Sequence, residues 1–98
     1  MFDKMKQLQA MKSQMEDAKA RMNDITVRGE AEGVYVISNA NRKVLEVNVP
    51  ESLLESSRKE EVQELVTLAT NRALEQAERV FESEMRGMAG GMMSGLGL

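Results

Sequence analysis

The chain places three short runs of β-branched and aromatic residues between two long segments that contain neither glycine nor proline. Residues 2–23 and the segment from Ser57 to about Met85 are rich in helix-forming residues and carry apolar side chains at helical spacing. This order predicts an α+β fold: a long helix, a three-stranded antiparallel meander, a short helical turn and a second long helix. We expect a single helix–sheet–helix domain over residues 1–86.

The first predicted helix has an apolar seam that repeats at heptad spacing. Its two registers consist of Met1, Leu8, Met15 and Met22, and of Met11, Ala18 and Ile25. A seam of this period requires a partner surface to bury it. Methionine is flexible and specifies packing weakly, so we expect this helix to dock loosely on its partner.

Short runs rich in β-branched and aromatic residues predict three strands. The first lies around Ile25 and Val27, the second at residues 34–37, and the third at residues 44–49, where Pro50 ends it. Residues 29–33 predict a five-residue hairpin loop bounded by glycines, and residues 38–41 predict a turn. The middle strand is apolar on both faces, so we expect this chain's helices to cover one face and another chain to cover the other.

The second long helix has a predicted start and a predicted end. Ser57 and Glu60 have the spacing of a capping box, in which each side chain accepts a backbone N–H from the other residue. The helix is expected to end near Met85, because residues 87–98 carry no charge and five glycines. We therefore predict a disordered Gly/Met tail over residues 87–98.

The composition argues against catalysis and metal binding. Cysteine and histidine are both absent, which removes the usual zinc ligands and the histidine base of nucleophilic triads. A Ser-x-x-Lys pattern at residues 56–59 is accounted for by helix capping, and neighbouring glutamates fall on a solvated helix surface. We expect no enzyme activity, no metal, no cofactor and no small-molecule substrate.

The length and hydropathy of the chain bear on its location and assembly. No segment approaches the roughly 20 apolar residues that span a bilayer, and residues 1–11 lack the apolar run of a secretory signal. We therefore expect a cytoplasmic protein without a membrane partner. A chain of 98 residues buries only a small core, so we expect it to pair as a homodimer. Pairing through the sheets and pairing through the first helices both fit the pattern.

The charge is unevenly distributed along the chain. The net charge is −3 and the isoelectric point is about 5.0, whereas a simple DNA-binding protein is basic. Residues 1–22 nevertheless carry five basic and three acidic side chains, while residues 50–98 carry five basic and nine acidic ones. The amino-terminal segment is the one with a positive balance.

Four blocks of sequence follow one another along the chain: residues 5–12, residues 27–29 with 33–36, residues 47–54, and residues 64–66 with 71–73. In this order they resemble the YbaB/EbfC family of bacterial nucleoid-associated proteins over roughly residues 1–86. The resemblance implies a dimer whose helices project like tweezers and bind duplex DNA with little sequence preference. By position, it implies DNA contacts from Lys4, Lys6, Lys12, Lys19 and Arg21 on the first helix, with Arg72, Arg79 and Arg86 on the last helix as further candidates.

Other interpretations of the same residues remain open. The basic residues of the first helix also fit a solvated face balanced by pairs such as Lys12–Glu16, and the three arginines of the last helix fit a surface paired with Glu75, Glu78 and Glu82. The acidic isoelectric point favours a protein-interaction scaffold that does not bind nucleic acid. With three aromatic residues in the chain, binding of single strands by base stacking is disfavoured.

Overall fold

The computed structural model describes residues 2–95, which form two long helices around a small sheet. The elements are α1 (Phe2–Asp24), β1 (Thr26–Ala31), β2 (Val34–Asn39), β3 (Val44–Asn48), two single 3-10 turns (Glu51–Leu53 and Ser56–Arg58) and α2 (Lys59–Gly95). The sheet is antiparallel in the order β1-β2-β3. The predicted α+β order of helix, meander, helical turn and helix is confirmed.

The core lies between one face of the sheet and α2. Val34 and Val36 of β2 are fully buried there, against the small side chains of Ala69 and Ala73. Gly29 of β1 is paired with Val36 and lies on the same face. A Cβ atom at Gly29 would overlap the backbone of Ala69 and Ala73, so glycine on the strand and alanine on the helix together set how closely the two elements approach.

The first hairpin differs from its prediction. β1 continues through Gly29 to Ala31, and the turn consists of Glu32 and Gly33 alone, both with positive φ, 46° and 88°. Positive φ at both central residues is typical of the type I′ turn, whose twist matches that of the flanking strands. The predicted five-residue loop at 29–33 is therefore wrong: Gly29 serves helix packing, and Gly33 serves the turn.

β3 forms an open edge of the sheet. Its pairing with β2 is interrupted by a bulge at Ile37/Ser38. All five of its residues are exposed, including the apolar side chains of Val44, Leu45 and Val47. The opposite face of β2 is also only half-covered in this chain, at Tyr35 and Ile37.

Both ends of α2 differ from their predictions. Ser57 lies inside the 3-10 turn Ser56–Arg58, ahead of the start of α2 at Lys59, so it does not act as the predicted helix cap. Arg58 holds this corner instead, because it donates to the Ser52 carbonyl at 2.8 Å and pairs with Glu61 at 3.4 Å. At the other end, α2 continues to Gly95, beyond the helix end expected near Met85. Each residue added to an existing helix gains a backbone hydrogen bond without a new nucleus. Residues 96–98 lie outside the described part of the chain.

α1 makes few contacts with the rest of the chain. Ala18 and Met22 are its buried side chains among those described. Residues 2–95 extend over 66 × 21 × 17 Å with a radius of gyration of 19.2 Å, compared with about 13 Å for a compact chain of 100 residues. No helix in this range is long and apolar enough to cross a membrane.

Candidate nucleic-acid interface

The predicted basic residues of α1 do not share one face of the helix. At about 100° per residue, Lys12 and Lys19 fall together on one flank of the apolar seam, Arg21 falls on the opposite flank, and Lys6 points away from the seam. Lys4 lies within the seam itself. The structure therefore brings two of the five predicted α1 cations, Lys12 and Lys19, into one row.

Lys12 and Lys19 border a groove of about 530 Å³ between α1 and α2. Its apolar lining comes from Leu8, Met11, Met15 and Met22 of α1 and from Phe81 and Met85 of α2; Glu16 and Asn41 complete it. The α1 side chains are far from covered, with Leu8 65% and Met15 55% exposed. The apolar seam of α1 is therefore only partly covered within one chain.

Arg21 and Arg72 are engaged within the chain. Arg21 Nη2 lies 3.2 Å from Glu84 Oε2, which ties α1 to α2. Arg72 donates to the Glu30 carbonyl at 2.7 Å, which ties α2 to β1. Their charges remain accessible, because both bonds lie at the surface, but each side chain has a structural role as well.

The remaining predicted cations are exposed on the helices. Lys4, Lys6, Lys12 and Lys19 of α1, and Arg79 and Arg86 of α2, are exposed. Ion pairs found within residues 2–95 join Arg21 to Glu84, Arg28 to Glu30, and Arg58 to Glu61, and none involves these six side chains. The alternative in which carboxylates neutralise them locally, such as Glu16 for Lys12, is not seen in this arrangement.

The loop between β2 and β3 docks on the carboxyl-terminal end of α1. The Ala40 amide donates to the carbonyls of Met22 and Ile25, at 3.1 and 2.9 Å. Asn41 Nδ2 donates to the Lys19 carbonyl at 2.9 Å and to Asn23 Oδ1 at 2.6 Å. Met22 lies in the last turn of α1, so its carbonyl has no i+4 partner within the helix and is satisfied by the loop instead.

The loop that docks on α1 through Ala40 and Asn41 also carries two further basic residues, Arg42 and Lys43. Both are exposed. Sequence reasoning assigned the basic candidates to helices alone and missed this pair. The available signal was two adjacent cations directly after the turn predicted at residues 38–41, but the contact of that loop with Lys19 depends on how the loop packs.

The family to which the chain belongs follows from comparison with known proteins. A family model described as the YbaB/EbfC DNA-binding family matches residues 1–92. The chain belongs to this family. A nucleoid-associated protein of Beijerinckia indica is 38% identical over 94 residues, which cover 94% of this chain and 93% of the relative. Relatives of the same description from Chlorobium phaeobacteroides strain BS1 and Chlorobaculum tepidum are 37% and 34% identical, and the matches cover 84% and 83% of their lengths.

The YbaB/EbfC family is described by DNA binding and not by a catalytic activity. The described residues hold no cluster of three or more carboxylates that could bind a metal ion. What α1 and the adjoining loop of this YbaB/EbfC protein present is an exposed row of cations beside an apolar groove, an arrangement suited to binding a polyanion through its backbone.

Proposed function

We propose that this protein is a cytoplasmic, nucleoid-associated protein that binds duplex DNA as a homodimer, with little sequence specificity, through basic residues on its helices. The observation that carries the proposal is the position of Lys12 and Lys19, exposed on one flank of α1 and without an acidic partner among residues 2–95. Membership of a DNA-binding family, and relatives named as nucleoid-associated proteins, support the same function.

The chemistry of α1 favours contacts with phosphates over contacts with bases. Lys12 and Lys19 are two helical turns apart, which separates them by about 10 Å along the axis. A lysine ammonium is a point charge on a flexible stem, so it meets a phosphate from many directions without fixing the register of a base. Contacts of this kind position a protein on a duplex and carry no sequence information. Low sequence specificity is therefore expected.

The negative net charge of −3 does not prevent this binding. Glu60, Glu61 and Glu64 lie at the start of α2, whereas the α1 groove meets α2 at Phe81 and Met85. Glu64 and Phe81 are separated by roughly 25 Å of helix at 1.5 Å per residue. At physiological ionic strength charges are screened over about 8 Å, so these three acids have little effect at the groove, where Glu16 is the acidic residue of the lining.

The exposed edge of the sheet supports the proposed homodimer. β3 combines unpaired backbone groups with the exposed side chains of Val44, Leu45 and Val47, and an apolar free edge of this kind favours pairing with another strand. A second copy placed at β3 would cover this edge by a two-fold contact, in which the same patch serves both chains. We propose this edge as the dimer contact, because it leaves α1 free to meet DNA.

The experiment measures fluorescence anisotropy of a labelled random duplex of about 30 base pairs, titrated at several salt concentrations. The wild-type protein should bind, with affinity that falls as salt rises. The double variant K12Q/K19Q should bind more weakly and with a shallower salt dependence. K59Q is the matched control, since Lys59 is an equally exposed lysine at the far end of α2, and it should retain wild-type binding.

The oligomeric state is measured on the same samples by light scattering. The wild-type protein should have the molar mass of two chains. L45E places a charge in the β3 contact, so it should lower the measured mass toward that of one chain. Absence of duplex binding at micromolar protein and low salt, by a folded wild-type dimer, would refute the DNA-binding proposal and favour an interaction scaffold. A wild-type monomer would refute the dimer alone.

A further inference from the structure

The β2–β3 loop presents two adjacent cations at the end of α1. Arg42 and Lys43 are both exposed, and neither belongs to an ion pair in the described part of the chain. Lys19, whose carbonyl accepts the bond from Asn41, adds a third cation at this corner. We call Lys19, Arg42 and Lys43 the basic corner.

The backbone of the loop is held by a side chain that carries no charge. Asn39 is 4% exposed, and its Oδ1 accepts the amides of Asn41 and Lys43, each at 3.0 Å. The backbone N–H of Asn39 donates to the Lys43 carbonyl at 2.9 Å. The positions of Arg42 and Lys43 are therefore fixed without help from their own side chains.

The docked loop extends the cationic row of α1. Asn41 bonds the Lys19 carbonyl directly, so the loop meets the helix at the level of the last cation of that row. Lys12, Lys19 and the loop then follow one another along a single edge of the molecule, beside the groove that Lys12, Lys19 and Asn41 line. A linear row of cations suits a linear array of phosphates better than an isolated pair does.

Arg42 occupies a backbone conformation that its side chain does not favour. Its φ is 65°, in the left-handed region, where the Cβ atom crowds the backbone and where glycine or asparagine is preferred. Its guanidinium lies 5.9 Å from the centre of the Phe81 ring, close to the outer limit of a cation–π contact. This contact leaves the N–H donors of the guanidinium available for an anion.

We propose that Arg42 and Lys43 form a second DNA-phosphate contact, built on the β2–β3 loop and continuous with the Lys12–Lys19 flank of α1. This inference rests on the DNA binding proposed above and adds to it a site outside the helices. The arginine contributes a planar set of donors that binds two phosphate oxygens at once. Lys43 contributes a point charge beside it.

The test is the salt dependence of duplex binding by R42G. Each phosphate contact adds about 0.9 to the slope of log affinity against log salt. If such a contact adds nothing to affinity at 1 M salt, it adds about 8-fold at 0.1 M salt, and its loss weakens binding by that factor. A dimer loses one contact from each protomer that touches the duplex. Because glycine suits the left-handed backbone at residue 42, R42G should melt no lower than the wild type.

Two further variants separate charge from structure. R42K keeps the cation and the strained backbone, so it should retain most of the salt slope. K43Q keeps the backbone and removes a cation, so it should lower the slope by about 0.9 per contacting protomer. K59Q, which lies 22 residues before Phe81 in α2 and thus roughly 33 Å away along the helix, should leave the slope unchanged.

The outcomes distinguish this site from the function on which it rests. Loss of slope in R42G and K43Q, with wild-type melting temperatures and an unchanged K59Q, supports the loop site. Wild-type affinity and slope in both loop variants, alongside a weakened K12Q/K19Q, would overturn the loop site and leave the α1 interface standing. A wild-type protein that fails to bind duplex DNA would overturn both.

Discussion

Replacement of Gly29 by alanine should destabilise the fold by far more than one methyl group suggests. The added Cβ would overlap the Ala69 carbonyl oxygen and the Ala73 amide nitrogen, which are backbone atoms of α2. No side-chain rotation relieves that overlap, so β1 and α2 must separate and the buried contacts of Val34 and Val36 must loosen. Overpacking of a core costs about 1–3 kcal/mol, and a clash with backbone on a helix belongs at the upper end. Alanine also reduces the conformational entropy of the unfolded chain relative to glycine, which stabilises the folded state by about 0.4–1 kcal/mol.

The expected net loss is therefore about 2 kcal/mol, which lowers the melting temperature of a domain of this size by about 8–16 °C. The assay is thermal unfolding by circular dichroism at fixed protein concentration. G87A is the matched control: the same methyl group is added to a glycine in α2 that has nothing within 4 Å of its would-be Cβ, and helix propensity predicts an unchanged or higher melting temperature. If G29A melted with the wild type, the close approach of β1 to α2 would not be what fixes this core.

Three further predictions concern the turns and the surface. N39A should lower the unfolding free energy by about 1–3 kcal/mol, measured by urea titration, because it leaves two loop amides without their acceptor; an unchanged midpoint would contradict the role of Asn39 in holding the loop. G33V should lower it by about 1–2 kcal/mol, since φ of 88° at Gly33 is unfavourable for a side chain with a Cβ, and an undiminished stability would contradict the type I′ turn. E84Q should change stability by under about 1 kcal/mol, because the Glu84–Arg21 pair is exposed. The same variant removes a negative charge beside Arg21, so it should tighten duplex binding in the anisotropy assay. Weaker binding would contradict an effect of the charges around Arg21 on DNA affinity.

The order of elements could be predicted because it is written in local periodicity. The α1 and α2 segments repeat their apolar residues at helical spacing, β2 is a short run of β-branched and aromatic residues, and β3 alternates, so each element is recognisable without its neighbours. The first hairpin was mispredicted because glycine has two uses that look alike in a sequence. Gly33 is required by positive φ, whereas Gly29 is required by a helix roughly 40 residues later in the chain. The local sequence pattern reveals the turn that requires Gly33, but it does not reveal the helix contact that requires Gly29.

The candidate interface was only partly predictable for the same reason. The charges of Lys12 and Lys19 and their shared flank follow from helical spacing alone. The engagement of Arg21 by Glu84 depends on the packing of α1 against α2. The position of the loop that carries Arg42 depends on the Asn41 contacts that dock it on α1. Sequence reasoning therefore identified a basic helix but could not tell which of its cations are already engaged or which cations from elsewhere join it.

The small core explains why this chain has an exposed helix for binding. Gly29, Ala69 and Ala73 bring the sheet so close to α2 that the valines of β2 fill the space between them, and no room remains there for α1. α1 is consequently held near its carboxyl-terminal end, by the burial of Ala18 and Met22 and by the β2–β3 loop. Its remaining length stays exposed, with apolar side chains in a seam and cations on the flank. A helix anchored at one end adjusts its free end to a partner at little cost to the core, so the architecture that limits the stability of the single chain is the one that favours binding.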